Sequence, residues 1–354
     1  MTADIVRTGI VSDTSGQVFG YAAWPSVCRL ANGELLAVYS GNRLDHLCPF
    51  GKVLLRRSRD EGRNWSALTV AVDTPLDDRD AGITVLPDGR LLLTTFNNTR
   101  AMQREWSDRW KPEGPMRSII QSYCDLVTDE QEQKYFGSLA SISEDGGYSW
   151  SEPFHVPVSA PHGVSVHKDR LLYPGTIAPD RPADSAYPIQ IHESRDGRNW
   201  ELLARIPRCE ALAACGHYEP HLLSLGDRLL LTVRHDGEGI FTVSSAWSED
   251  DGRSWTPLRP TGAAGSPPHL LLHSSGKVIL TYGRRSKPYG IEAMVSTDRG
   301  EHWSEPVSLW ENAPHPDLGY PCSVELSDGS VFTLYYGRSA ENALCRICYT
   351  VWRV

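Results

Sequence analysis

Long apolar runs, a basic-then-apolar opening and an excess of positive charge are all missing from this sequence. No stretch of the 354 residues approaches the length of a membrane span, so a membrane partner is not expected. The first ten residues, Met1 to Ile10, lack the basic-then-apolar order of a signal peptide, and the expected location is cytoplasmic. Lys and Arg number 35 against 44 Asp and Glu, for a net charge of −9, which argues against a nucleic-acid partner. There is no Gly-rich phosphate loop and no His/Glu pair at helical spacing, so no cofactor and no metal are expected. The eight cysteines are scattered and read as reduced core residues. Cys345 and Cys348 form a CxxC without a second pair, a poor zinc site. Methionine is scarce (4), while 11 tryptophans, 30 glycines and 24 prolines point to strands and turns rather than long helices.

What is present is a repeat. The pattern Ser-x-Asp-x-Gly-x-x-Trp occurs at Ser58-Asp60-Gly62-Trp65, Ser143-Asp145-Gly147-Trp150, Ser248-Asp250-Gly252-Trp255 and Ser296-Asp298-Gly300-Trp303. A fifth copy, Ser194-Asp196-Gly197-Trp200, is one residue shorter. Ser and Asp side chains bond backbone amides in a tight turn, Gly permits positive φ, and the Trp ring packs inward. A second set of turns interleaves with the first, each followed by an apolar run: Gly33, Gly89, Asp169, Gly226, Gly276 and Gly329 mark them. Their steps are 56, 80, 57, 50 and 53 residues, enough for one four-stranded sheet per repeat. The long step holds an insertion over residues 100–136. The fold class is therefore all-β: a six-bladed β-propeller of four-stranded antiparallel blades, one domain over residues 1–354. The sixth turn has no Asp-type turn after it, so the N-terminal segment is expected to supply the last strand of the final blade.

In a hairpin, the start of the first strand and the end of the second share one end of the sheet. Reading outward from the six turns collects Trp24, Asp77 to Asp80, His162, Glu219, His221, His269 and Tyr320 before them. After them come Arg43, Asp45, His46, Arg234, Arg284, Arg285 and Tyr336. This Arg, His, Asp, Glu and Tyr set, unlike the Lys and Ser of a solvated rim, points to a binding or catalytic face. The insertion carries Trp106, Arg109, Trp110 and Lys111 and is expected to form a helix or lid, or else a local mini-core.

These turns are the Asp-boxes of the sialidase superfamily, which the chain resembles over nearly its whole length. The resemblance implies a tyrosine nucleophile assisted by a glutamate, an aspartate acid/base and three arginines for a substrate carboxylate. Tyr320, in Asp317-Leu-Gly-Tyr320-Pro, resembles the nucleophile, and Glu219 its base. Asp80, Asp78 and Asp45 are the candidates for the acid. Arg234, fifteen residues after Glu219, resembles the second arginine and Arg284 the third; Arg43 resembles the arginine lining the site beside the acid. A carboxylate within reach of a phenol can take its proton, and guanidinium groups match carboxylates bidentately. One departure is plain: Ala23-Trp24-Pro25 stands where the first arginine belongs. Trp24, His46, His162, His221 and His269 complete the substrate-binding set, with His217 a further histidine candidate. The function this implies is removal of a terminal, acidic sugar from a glycan. The alternatives are a polysaccharide lyase using the histidines, an inverting glycosidase acting on a uronic-acid or deoxy sugar, and a non-catalytic glycan-binding propeller. A carbohydrate partner is common to all of them; the oligomeric state is left open.

Overall fold

Each repeat becomes one small antiparallel sheet in the computed structural model, which describes residues 3–110, 114–177, 186–237 and 239–354. Blade one runs Tyr21–Arg29, Leu35–Arg43, Lys52–Ser58 and Thr69–Val72. Blade two runs Arg79–Val85, Leu91–Phe96, Ser138–Ser143 and Phe154–His155. Blades four and five follow the same plan from Gly216–Ser224 and Pro268–Leu272. Blade six pairs Gly319–Glu325, Val331–Arg338 and Cys345–Arg353, and Asp4–Ser12 closes it along the last of these. The sixth blade thus takes its fourth strand from the N-terminus, as the repeat count requires. Blade three departs from the plan, because its first strand is split into Val158–Ser159 and Ser165–His167 around Pro161 and Gly163.

The first strand of each blade lies innermost, and neighbouring innermost strands touch. The apolar core is divided among the blade interfaces, and the box tryptophans sit in them. Trp65 packs against the core shared by blades six and one, Trp150 against that of one and two, and Trp200 against that of two and three. Trp255 and Trp303 continue the series. Each box therefore staples its own turn and seals its blade to the preceding one. The turn chemistry is as the residue types dictate. Ser58 Oγ donates to Asp60 Oδ1 at 2.9 Å and receives the Gly62 amide at 2.8 Å, while Asp60 also accepts the Asn64 amide at 2.8 Å. All eight cysteines are buried and free.

The insertion is helical: α1 (Arg100–Trp110), α2 (Met116–Leu126) and α3 (Asp129–Tyr135), the last with a Thr128–Gln131 capping box. Ile120 and Cys124 pack on Leu44 and Cys48 in a small core of their own. Trp106 is left exposed and Arg109 pairs with Glu105 one turn away. Lys111 and the side chain of Trp110 lie outside the described residues. Among the described residues, no helix is long and apolar enough to cross a membrane.

Candidate active site

Four innermost strands share a defect at the end remote from the boxes. In blade one, Trp24 and Pro25 lie between the pairs Ala23–Ser40 and Ser26–Val38, so two residues face one. The same bulge occurs at Asp80-Ala81, Glu219-Pro220 and Tyr320-Pro321. The first residue of each is left-handed, with φ of 53° at Trp24, 46° at Asp80, 44° at Glu219 and 50° at Tyr320. A side chain held there costs about 1–3 kcal/mol, and such strain concentrates at functional sites. The bulges aim four side chains from four blades at one mouth of the propeller.

Three of the four come together. The Tyr320 hydroxyl donates to Glu219 Oε1 at 2.5 Å, and Arg234 Nη1 donates to Glu219 Oε2 at 2.5 Å and to the Tyr320 oxygen at 3.1 Å. Burial, reinforced by the negative charge of Glu219, pushes the Tyr320 phenol well above its ordinary pKa, so it stays protonated until a base takes the proton. Asp80 is buried with Oδ1 unpartnered. Burial, with Glu219 adding to it and Arg79 opposing it, pushes the Asp80 carboxyl up to about 7. A cavity of about 370 Å³ adjoins this centre, lined by Asp80, Phe96, Pro161, Glu219, Arg234 and Asp236, among others; the buried Tyr320 is not one of its lining residues.

The other candidates lie elsewhere. Asp78 is buried beneath a turn, accepting the Thr74 amide at 2.7 Å and hydroxyl at 2.8 Å. Asp45 accepts the following His46 amide at 2.6 Å, and neither lines the cavity. Arg43 is wholly buried with its donors spent: it forms a two-toothed pair with Asp77 and bonds Ser40 Oγ and the His46 and Asp45 carbonyls. It anchors the loop after blade one's second strand and has no donor left for a substrate. Arg284 turns outward to Glu292 at 2.8 Å and lines a separate hollow with Trp310. Its neighbour Arg285 is the one that faces the axis, 5.6 Å over the Tyr320 ring, with Nε and Nη2 buried and unpartnered. Trp24 is buried and serves as floor: the Arg79 guanidinium lies 4.1 Å over its ring and the His46 ring meets it edge-on at 4.9 Å.

The axial histidines do not belong to this cavity. His162, His221 and His269 cluster, with ring centroids 4.4 to 5.6 Å apart, and line a second, axial cavity of about 570 Å³ at the turn end. His221 and His269 satisfy innermost-strand amides that have no ladder partner on the axis side, whereas both ring nitrogens of His162 lack a hydrogen-bond partner among the described residues. His221 Nδ1 accepts the Leu270 amide of the next blade at 2.9 Å, and His269 Nδ1 accepts that of Ser323 at 3.3 Å. Cys322 Sγ repeats the device by accepting the Val27 amide at 3.4 Å. Between blades two and three the strands instead approach so closely that a Cβ on Gly82 would lie 2.2 Å from the Gly163 nitrogen. His217 is also structural, bonded through Nε2 to the Cys209 amide at 2.8 Å. Among the described residues, no group of three His, Cys, Asp or Glu is arranged to hold a metal ion.

Comparison with known proteins now adds the family. A family model described as a BNR repeat-like domain matches residues 110–333, more than half of the chain. The chain belongs to this BNR repeat-like family. The BNR repeat-like chain is similar to a sialidase from Micromonospora viridifaciens, 23% identical over 303 residues that cover 82% of this chain and 37% of that protein. It thus spans little more than a third of that relative's length. A Dyadobacter fermentans protein of unknown function shares the fold with a TM-score of 0.77 and 21% identity, covering 99% of this chain and 98% of that one. A Hadza microbial sialidase gives a TM-score of 0.68 at 18% identity, covering 98% of this chain and 68% of that one. At these identities the structural likenesses speak to the propeller alone.

Sequence reasoning places Asp77 and Arg285 at this face but not their roles, Asp77 holding Arg43 and Arg285 rather than Arg284 lying over Tyr320, and it misses Asp236 beside Arg234 altogether. A signal for the bulges was present, since Trp24-Pro25, Glu219-Pro220 and Tyr320-Pro321 repeat an X-Pro step before three of the turns.

Proposed function

We propose that this protein is an exo-acting glycoside hydrolase in which Tyr320 is the nucleophile, Glu219 its base and Asp80 the acid/base. The observation that carries the reading is the 2.5 Å Tyr320–Glu219 hydrogen bond set on two strained bulges beside a carboxyl that titrates near 7. A neutral phenol with its proton already directed at a carboxylate is an activated nucleophile. In the first step the Tyr320 oxygen attacks the anomeric carbon as Glu219 accepts the phenolic proton, and Asp80 protonates the departing glycosidic oxygen. In the second, the Asp80 carboxylate takes a proton from water, whose oxygen attacks the same carbon. The Tyr320 oxygen leaves and recovers its proton from Glu219. Tyrosine nucleophiles are a recognised exception to the two-carboxylate scheme of glycosidases.

The sialidase among the relatives supports a glycosidase, as do the charged side chains that line the cavity. Elimination is less well supported, because three of the histidines that favoured it, His162, His221 and His269, line the cavity at the opposite end and His217 is bonded to the Cys209 amide. The test is turnover of a panel of terminal-sugar aryl glycosides by the wild type and by Tyr320→Phe. Turnover that collapses in the variant while its fold persists supports the reading; a variant as active as the wild type would end it.

A further inference from the structure

The resemblance implies a substrate carboxylate held by arginines, and the cavity is built the other way. Among the described residues that line it, Arg234 is the single guanidinium, while Asp80, Glu219 and Asp236 are three carboxyl groups. Arg234 is already occupied. Its outer edge, Nε and Nη2, donates to Asp236 Oδ2 at 3.0 and 2.6 Å, and its Nη1 is shared by Glu219 and Tyr320. That outer edge is the fork a substrate carboxylate would engage. The remaining arginines supply no substitute: Arg43 is spent on Asp77, Arg284 on Glu292, and Arg79 donates to Asp77 and to the His46 carbonyl. Arg338 is held by Asp317, whereas Arg285 has no carboxylate partner among the described residues; it lies over the Tyr320 ring and, like Tyr320, is not among the residues that line the cavity.

We propose that the cavity takes a terminal sugar without a carboxylate, and that Asp236 determines this specificity by filling the Arg234 fork with the protein's own anion. An acidic sugar would bring its charge against Glu219 and Asp236 and would have to displace a charge-assisted pair to reach a guanidinium. A neutral sugar meets acceptor oxygens suited to hydroxyl donors, and its binding leaves the pair intact. Asp236 is in this sense the residue that replaces a substrate group. The inference rests on the proposed hydrolase reading for its site, but its test is made on binding.

The experiment measures dissociation constants of neutral and acidic methyl glycosides (pentoside, deoxyhexoside and hexoside against uronide and sialoside) on Tyr320→Phe, which cannot turn them over. The expected result is that at least one neutral sugar binds about tenfold or more tightly than both acidic ones. Asp236→Ala in the same background should move the acidic-to-neutral ratio toward the acidic sugars by about tenfold, with Asp236→Asn in between. Tighter binding of an acidic sugar to Tyr320→Phe overturns the proposal, as does a ratio that Asp236→Ala leaves unchanged. Absence of binding by every sugar overturns it too. Hydrolysis of the neutral glycosides by the wild type is scored separately, so failure of the charge preference and failure of the hydrolase reading are told apart.

Discussion

At the turn end of the propeller, Asp60, Asp145, Asp196, Asp250 and Asp298 each accept a serine hydroxyl and a backbone amide from their own box. Hydrogen bonds from the residue three or four places on hold Asp145, Asp196, Asp250 and Asp298 below the usual carboxylate range. At the opposite end, Asp80 is buried with one oxygen unpartnered and titrates near 7. One residue type thus does contrary work within one fold. Where every acceptor is satisfied, aspartate is a turn staple; where burial outruns hydrogen bonding, it holds a proton that chemistry can use.

The comparison can be broken most severely at the bulged end. Tyr320→Phe should lower kcat by about 10³-fold or more while the melting temperature changes little, measured by steady-state turnover and thermal unfolding. Asp80→Asn should cost about 10²- to 10⁴-fold. Its pH profile carries a further signature. Asp80 must hold its proton to act as acid, so wild-type activity should fall as pH rises through about 7, and that limb should vanish in the variant.

The axial histidines sharpen the contrast from a third position. Burial pushes His221 down to about 3 from its ordinary 6.5. Its folded pKa is depressed, so the stability it contributes is complete above 6.5 and is lost as pH falls toward 3. Melting curves should therefore lose about 2 kcal/mol per buried imidazole of this kind by about pH 5, and His221→Gln should flatten that slope. The smallest effect belongs to the boxes. Asp196→Ala should cost about 1–2 kcal/mol of stability in denaturant titration and leave kcat within about twofold.

How much of this was legible in the sequence follows from how local each cause is. The boxes depend on contacts within a few residues, so their spacing reads directly as turns, blades and tryptophan seams. Hairpin symmetry carried Tyr320, Glu219, Asp80 and Arg234 to one mouth, because it needs only the turn positions. Alternation was harder. Arg284 ends its strand facing Glu292 while Arg285, one residue on, faces the axis, and a one-residue change of phase reverses the assignment. The bulges add a residue to each of four strands, and His221, two places after Glu219, lines the other cavity. Asp77 and Asp236 matter through the arginines they hold, and those pairings are set by packing rather than spacing.

The central claim is that Tyr320 becomes covalently bound to the sugar. Incubating the protein with fluorinated terminal-sugar fluorides of the substrate it hydrolyses, then mapping peptides by mass spectrometry, tests this directly. The account predicts one sugar adduct, on Tyr320, absent from Tyr320→Phe. An adduct on Asp80 or Glu219 instead, or rapid hydrolysis with no adduct at all, would contradict it.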